Sequence, residues 1–158
     1  MLATKESRRI FESALERVRR SFMLQVYGYV VMPEHVHLLL SEPQQDTLAD
    51  ALKSLKQGVS RRLIGDAQHF WQKRYYDFNI RDYPQFVEKL RYIHRNPVKA
   101  GLCERPEDWE WSSFRHYYAT RCEGRVEIES EWTARKRERA SGGVSPSIER
   151  PHSSQKPA

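Results

Sequence analysis

Two apolar runs separated by a proline restrict the fold of this chain more than any other feature. Tyr29 to Met32 and Val36 to Leu40 consist almost entirely of Val, Leu and other apolar residues, and Pro33-Glu34 lies between them. Runs of this kind predict strands, and a tight turn between two of them predicts an antiparallel pair. We therefore expect strands over residues 22–32 and 35–41.

Helical periodicity dominates most of the remaining sequence. Residues 6–20 and 47–64 carry apolar side chains at intervals of three and four, which predicts two amphipathic helices. A third helix is expected to begin after Tyr83-Pro84, because proline suits an early helical position. The aromatic segment 70–81 alternates loosely and predicts a third strand. The expected order is helix, strand, strand, helix, strand, helix.

Length and composition suit one domain followed by a tail. The chain has 158 residues and a net charge of +6, which is compatible with a polyanionic partner. We expect a domain over residues 1–133 and a basic, Pro/Ser-rich, disordered tail over residues 134–158. Two cysteines without a paired motif, no transmembrane-length apolar run and no signal-peptide core predict a cytoplasmic protein without membrane association.

Two histidines stand at alternate positions in His35-Val36-His37. Residues i and i+2 of a strand point to the same face, so both imidazoles would project from one rigid surface. Histidine is the commonest metal ligand. A single histidine on a strand is usually an ordinary core or surface residue, but a buried one needs a polar partner. The pair is therefore a candidate metal site.

Tyr92 and Asn96 are four residues apart and would share one face of the third helix. A phenol oxygen is a potential nucleophile, and an amide oxygen is a ligand for hard metal ions. Packing by a half-buried Tyr92 and a turn role for Asn96 also account for the two residues. Pro97 disfavours helical geometry at the residue before it, so we expect the helix to end near Asn96.

Taken together, several ordered phrases resemble the REP-associated tyrosine transposases, which belong to the single-tyrosine HUH nucleases. The resemblance covers about residues 3–132. The phrases that carry it are Val31 to Leu39, Ser54 to Gln57, Phe70 to Asn79, Tyr92 to Leu102 and Pro106 to Tyr117.

The resemblance implies a metal-dependent reaction on single-stranded DNA at palindromic repeats that form hairpins. It implies Mg²⁺ or Mn²⁺ held by His35, His37 and Asn96, and attack on the scissile phosphate by Tyr92 to give a 5′-phosphotyrosine link. The ligand types leave the choice of metal open. Glu34 and His94 are candidates for the base that assists Tyr92, and a structural role is the alternative for both. The resemblance also favours a monomer over a dimer.

The fold class implied is α+β: a ferredoxin-like sandwich with an antiparallel sheet and helices on one face. In this family a further strand precedes the first helix and lies centrally in the sheet. Only Met1 to Thr4 precede that helix here. Either the start of the sequence is misplaced or truncated, or the sheet lacks this strand and exposes backbone groups that must be paired in another way.

Cations interleaved with aromatic residues predict the surface that binds DNA. Cations follow phosphates, and aromatic faces stack on unpaired bases. A solvated helix face and core aromatics remain the alternative for each residue taken singly. The candidate DNA contacts are Lys53, Lys56, Arg61, Arg62, Trp71, Lys73, Arg74, Tyr75, Arg95, Lys99 and Arg115.

Three other functions compete with this one. A catalytically inactive or domesticated protein would bind hairpin DNA without cutting it, and the missing strand favours this alternative. A histidine-triad nucleotide hydrolase also alternates histidines, but Leu39 stands where the third histidine belongs. An RNA-recognition module shares the sandwich architecture, but its aromatic signature is absent from the sequence.

Overall fold

The computed structural model of the chain describes residues 2–63, 78–119, 124–140 and 153–157. No helix in these ranges is both long and apolar enough to cross a membrane. The described elements, in chain order, are α1 (Lys5–Ser21), β1 (Val26–Val31), β2 (Val36–Ser41), α2 (Leu48–Arg62), β3 (Phe78–Asn79), α3 (Tyr83–Lys99), a 3₁₀ turn (Pro106–Asp108), a π-helical turn (Arg115–Ala119), α4 (Glu131–Ala140) and β4 (Ser153–Pro157).

Capping side chains set where the first three helices begin. Thr4, Thr47 and Asp82 each stand just before a helix and accept a hydrogen bond from the backbone N–H three residues later. Such caps satisfy amides that have no partner within the helix. The helices predicted from periodicity over residues 6–20, over 47–64 and after Tyr83-Pro84 are confirmed to within two residues at most ends.

The end of α3 differs from the prediction. The helix continues past Asn96 to Lys99 and includes Pro97. A proline inside a helix removes one backbone hydrogen bond and crowds the preceding turn. Here the Pro97 ring is buried, and the N–H of Ala100 still bonds to the Asn96 carbonyl at 2.9 Å. Burial and the following bonds keep the last turn helical, so the predicted end at Asn96 is wrong.

The described strands form one antiparallel sheet with the order β1-β2-β4-β3. The predicted hairpin is confirmed: Val30 pairs with His37 and Tyr29 with Leu38. The N–H of Met32 bonds to the His35 carbonyl at 2.8 Å and closes the turn. The register therefore places His37 on the same face of the sheet as Val30.

The outer edge of β1 is covered by a later segment of the chain. The N–H of Val31 bonds to the Trp111 carbonyl at 2.9 Å, and the N–H of Ser113 bonds to the Tyr29 carbonyl at 3.0 Å. An uncovered edge would present unpaired backbone groups to other chains. Residues 111–113 thus satisfy this edge and also bring Ser113 close to the sheet.

Helices pack against both faces of the sheet. Tyr29 donates a hydrogen bond from its hydroxyl to Glu12 of α1, whereas His37, paired with the neighbouring Val30, contacts Tyr92 of α3. Successive residues of a strand face opposite sides, so α1 and α3 lie on opposite faces. The α+β class with an antiparallel sheet is confirmed, but the expectation that the helices share one face is wrong. A continuously apolar pair of strands needs cover on both sides, and α3 supplies the second layer.

The C-terminal segment also differs from expectation. Residues 131–140 form α4, and residues 153–157 form β4 between β2 and β3, in a region predicted to be a disordered tail. Residues 2–4 form no strand, as expected. An inner position of the sheet is therefore filled from the other end of the chain. Backbone hydrogen bonds pair β4 with β2 and β3, and these bonds need no apolar side chains. The composition of residues 153–157 therefore did not predict a strand.

The core lies between the sheet and the α1–α2 pair on one side, and between the sheet and α3 on the other. Arg17 of α1 links the two helices of the first layer by bonding to the Ser54 carbonyl at 3.1 Å. The fully or almost fully buried apolar side chains include Phe11, Leu15, Val18, Val30, Val36, Leu38, Leu39, Val59, Leu90 and Ile93.

A glycine in β1 allows α3 to approach the sheet closely. A Cβ atom added to Gly28 would stand 2.5 Å from Leu90 Cδ1 and 3.4 Å from Ser113 Oγ. Gly28→Ala is therefore expected to destabilise the protein by about 1–3 kcal/mol, because a buried leucine must move. Urea denaturation measures the loss. Gly124→Ala is the matched control, since no atom of the described residues lies within 4 Å of its added Cβ; equal stability of the two variants would contradict the close approach.

Candidate active site

The two histidines of the hairpin lie side by side, as predicted. The ring centroids of His35 and His37 are 4.8 Å apart, with the rings nearly perpendicular. His35 is half-buried at the end of the turn, and His37 is only 6% exposed. The pair is therefore fixed by the hairpin itself, with the His35 ring partly at the surface and the His37 ring almost fully buried.

Burial without a partner is the notable property of His37. Both of its ring nitrogens are buried, and neither has a hydrogen-bond partner within the described part of the chain. Burial, helped by the neighbouring His35, lowers the pKa of His37 to about 4. Burial also lowers the pKa of His35. Both rings are thus neutral at physiological pH, and a neutral imidazole offers a lone pair to a metal ion.

The tyrosine of α3 lies against this histidine pair. The ring centroids of His37 and Tyr92 are 5.5 Å apart with an edge-on geometry. Tyr92 is nevertheless 48% exposed, so its side chain is accessible to a ligand. The structure thus brings His35, His37 and Tyr92 side by side, with the Tyr92 side chain at the surface.

Asn96, Arg95 and Lys99 lie on the same stripe of α3 as Tyr92. They follow it at intervals of three, four and seven residues, and such positions share a helix face. Asn96 is half-buried, whereas Arg95 and Lys99 are exposed. The stripe therefore carries the tyrosine, a half-buried amide side chain and two exposed cations.

The other predicted DNA contacts are more scattered. Lys53, Arg61 and Arg62 are exposed on α2, and Lys56 is half-buried there. Because α2 packs against α1, these cations belong to the helix layer across the sheet from α3. Arg115 is half-buried, and its Nε bonds to the Glu107 carbonyl at 3.0 Å. Trp71, Lys73, Arg74 and Tyr75 lie outside the described residues.

His94 is not placed to act as a base for Tyr92. Two residues along a helix are separated by about 200° around its axis, so the two side chains leave opposite sides. His94 is 2% exposed and faces the sheet, where its Nε2 lies 2.7 Å from Ser113 Oγ. Burial, with a contribution from His116, lowers its pKa to about 3. Of the two roles that the sequence left open for His94, the structure therefore favours the structural one.

Two buried polar groups of this layer escaped the sequence reasoning. Ser113 bonds both to His94 and to the backbone of Tyr29, and Arg8 lies between the rings of Trp109 and Trp111 at 4.9 and 4.5 Å from their centroids. A serine in a polar phrase and an arginine on a charged helix carry no signal of burial. Their roles depend on segments far apart in the chain meeting beside β1.

Comparison with known proteins gives a consistent result. Residues 1–96 match the model of the family described as transposase IS200 like. The chain is 31% identical over 117 residues to a Haemophilus influenzae protein named as a candidate REP-associated tyrosine transposase, with 66% of each protein covered. It is 28% identical over 102 residues to the REP-associated tyrosine transposase of Escherichia coli, covering 64% of this chain. The chain spans 66% and 61% of the length of these two relatives.

A solved structure shares the fold. The REP-associated tyrosine transposase bound to a REP hairpin superposes with a TM-score of 0.66 and 22% sequence identity, over 80% of this chain and 76% of that one. At this identity the likeness establishes the architecture. The family-model match runs from residue 1 to residue 96, so it includes His35, His37, Tyr92 and Asn96.

Proposed function

The chain belongs to the IS200-like transposases, and from this premise we propose that it cuts and rejoins single-stranded DNA through Tyr92. The observation that carries the proposal is the proximity of three rings: the centroid of His37 lies 4.8 Å from that of His35 and 5.5 Å from that of Tyr92. Three residues from a hairpin and a distant helix converge, and the nucleophile candidate stays exposed.

The proposed reaction is a transesterification at phosphorus. The phenolic oxygen of Tyr92 attacks the scissile phosphate, and the bond from phosphorus to the 3′ oxygen breaks. The phenol releases its proton, the leaving 3′ oxygen takes one up, and the product is a 5′-phosphotyrosine with a free 3′-hydroxyl. The new link is again a phosphodiester, so a 3′-hydroxyl can reverse the step on another end. The exposure of Tyr92 supports access by DNA.

The side chains of His35, His37 and Asn96 fit a divalent metal ion. The two neutral imidazoles supply nitrogen lone pairs, the unpartnered nitrogens of His37 lack another role among the described residues, and the Asn96 amide oxygen shares the stripe of Tyr92. The third ligand in this proposal is Asn96, as the family resemblance implies. A bound Mg²⁺ or Mn²⁺ would neutralise charge on the phosphate.

The proposed substrate is a DNA hairpin with single-stranded flanks. The solved relative is bound to a REP hairpin, and here Arg95 and Lys99 extend from the tyrosine along one face of α3. Cations beside the nucleophile would hold the phosphates that flank the cleavage point. The predicted contacts Lys53, Lys56, Arg61 and Arg62 of α2 belong to the same proposal as more distant parts of the DNA path.

The proposal includes a monomer in the cytoplasm. The candidate nucleophile and ligands meet within one chain, which supports a site that needs no second copy. The presence of His35, His37, Tyr92 and Asn96 favours an active enzyme over the inactive DNA-binding alternative.

The test is a search for the covalent product. Hairpin oligonucleotides carrying four randomised flanking bases and a 3′ fluorophore are incubated with the protein and Mn²⁺, Mg²⁺ or EDTA. Because the protein joins the 5′ end of the 3′ fragment, the 3′ label should migrate with the protein on a denaturing gel when metal is present. A 5′ label should instead appear as a short free fragment. Binding of the library without any adduct would support the inactive alternative.

A further inference from the structure

A buried hydrogen-bond chain joins the tyrosine-bearing helix to the strand beside the histidines. His94 extends from the inner side of α3, and its Nε2 lies 2.7 Å from the hydroxyl of Ser113. That hydroxyl accepts a hydrogen bond from the Tyr29 N–H at 3.1 Å and lies 3.3 Å from the Tyr29 carbonyl oxygen. The side chains of His94 and Ser113 are each 2% exposed, so the hydrogen bonds between them are shielded from water.

A count of donors and acceptors favours one arrangement of the protons in these hydrogen bonds. The serine hydroxyl has a single proton, and it already accepts the Tyr29 amide. If His94 carries its proton on Nε2 and donates it to Ser113, the serine proton is free to go to the Tyr29 carbonyl, and every donor is used. The His94 Nδ1 is then a bare acceptor, which agrees with its lack of a partner among the described residues. The opposite tautomer would bury an unpaired N–H.

We propose that the His94–Ser113 hydrogen bond is a positioning contact that sets Tyr92 at its distance from His37. Tyr29 is followed by Val30, the strand partner of His37, and Tyr92 is two residues before His94. Covalent bonds and hydrogen bonds therefore connect His37 to Tyr92 through β1, Ser113 and His94. The ring contact between His37 and Tyr92 closes this path into a loop. Its catalytic consequence rests on the proposed function.

The packing contacts beside this loop are apolar, so the hydrogen bond of His94 is the contact that fixes the orientation of α3. Leu90 of α3 lies so close to Gly28 that the helix can slide or rotate on the sheet only with difficulty, but apolar contacts do not specify one orientation. A hydrogen bond is directional, and the Ser113 hydroxyl, which accepts a bond from the Tyr29 N–H of β1, offers His94 a fixed acceptor beside the strand. Rotation of α3 about its axis would move Tyr92 away from His37 and break this bond first.

The test compares variants that keep or lose the donor. His94→Phe keeps a ring of similar size without the Nε2 proton, Ser113→Ala removes the acceptor, and His94→Gln keeps an N–H near the Nε2 position. Val59→Ala, a core truncation in α2, is the control for lost stability alone. Melting temperature, hairpin dissociation constant and single-turnover cleavage rate are measured for each variant, at a temperature where all are folded.

We expect His94→Phe and Ser113→Ala to lower the cleavage rate by about 100-fold, with hairpin affinity almost unchanged, because a displacement of about 1 Å costs this much. His94→Gln should restore most of the rate, and Val59→Ala should cut at the wild-type rate despite its lower melting temperature. Equal rates in His94→Phe and Val59→Ala, or no rescue by His94→Gln, would overturn the inference.

A spectroscopic measurement tests the position without relying on catalysis. The Tyr92 ring stands edge-on to His37, so it shifts the NMR signal of the His37 Cε1 proton, and Tyr92→Leu gives the value without that ring. We expect the signal of His94→Phe to move towards the Tyr92→Leu value. An unchanged signal would overturn the inference. Failure of the wild type to form any DNA adduct would refute the proposed function and leave this structural outcome to decide the positioning role.

Discussion

Tyr92→Phe is expected to form no covalent adduct with hairpin DNA. Phenylalanine keeps the ring that packs against His37 but lacks the attacking oxygen, so the cleavage rate should fall by at least about 10³-fold. The fold and the hairpin affinity should remain those of the wild type, because the ring is half exposed and its shape is conserved. Denaturing gels with 3′-labelled DNA measure the adduct, and filter binding measures the affinity.

Tyr83→Phe is the matched control for this prediction. Tyr83 belongs to the same helix and is 57% exposed, but its ring stacks on Phe86, away from the histidine pair. Removing its hydroxyl should leave adduct formation unchanged. An adduct in Tyr92→Phe, or equal loss in both variants, would show that another residue attacks the phosphate.

Removing residues 153–158 is expected to destabilise the protein by about 3 kcal/mol. β4 pairs with β2 from His37 to Ser41 and with β3 at Phe78 and Asn79. Each lost backbone hydrogen bond costs about 0.5–1.5 kcal/mol, and the deletion opens two strand edges at once. A disordered tail would instead make no contribution. Urea denaturation of the full and shortened chains decides between the two.

A single substitution tests the same strand without shortening the chain. Gln155 pairs with Leu39 of β2 and with Phe78 of β3. Gln155→Pro removes the backbone N–H and should lower stability nearly as much as the deletion, since proline is excluded from inner strands. Gln155→Ala keeps the N–H and should cost little. Equal stability of the two variants would contradict an inner β4.

Local sequence patterns were sufficient to predict those features that depend on neighbouring residues. The hairpin, the caps of the helices and the common face of Tyr92 and Asn96 all follow from the spacing of neighbouring residues. The end of α3 was missed because a proline usually ends a helix, and here burial of Pro97 and the bond from Ala100 outweigh that tendency. Propensity is a weak guide when tertiary packing opposes it.

The sequence predicted which residues form the candidate site but not which residues surround and support them. His35, His37, Tyr92 and Asn96 could be named from the sequence, because their spacing and the family resemblance point to them. The role of His94 could not, since nothing in a helical sequence tells which turn of the helix meets a serine 19 residues later. The resemblance likewise gave no indication that α1 and α3 would cover opposite faces.

By itself the sequence determined the hairpin that holds two imidazoles together, the helix that carries the tyrosine, and the family to which both belong. Only the tertiary structure decided that Tyr92 meets His37, that Ser113 joins α3 to β1, and that an inner position of the sheet is filled from the C-terminal end. The physical reason is the range of the interactions. Periodicity and capping act over a few residues, whereas backbone pairing between distant strands and buried hydrogen bonds between layers leave no repeating pattern in the chain.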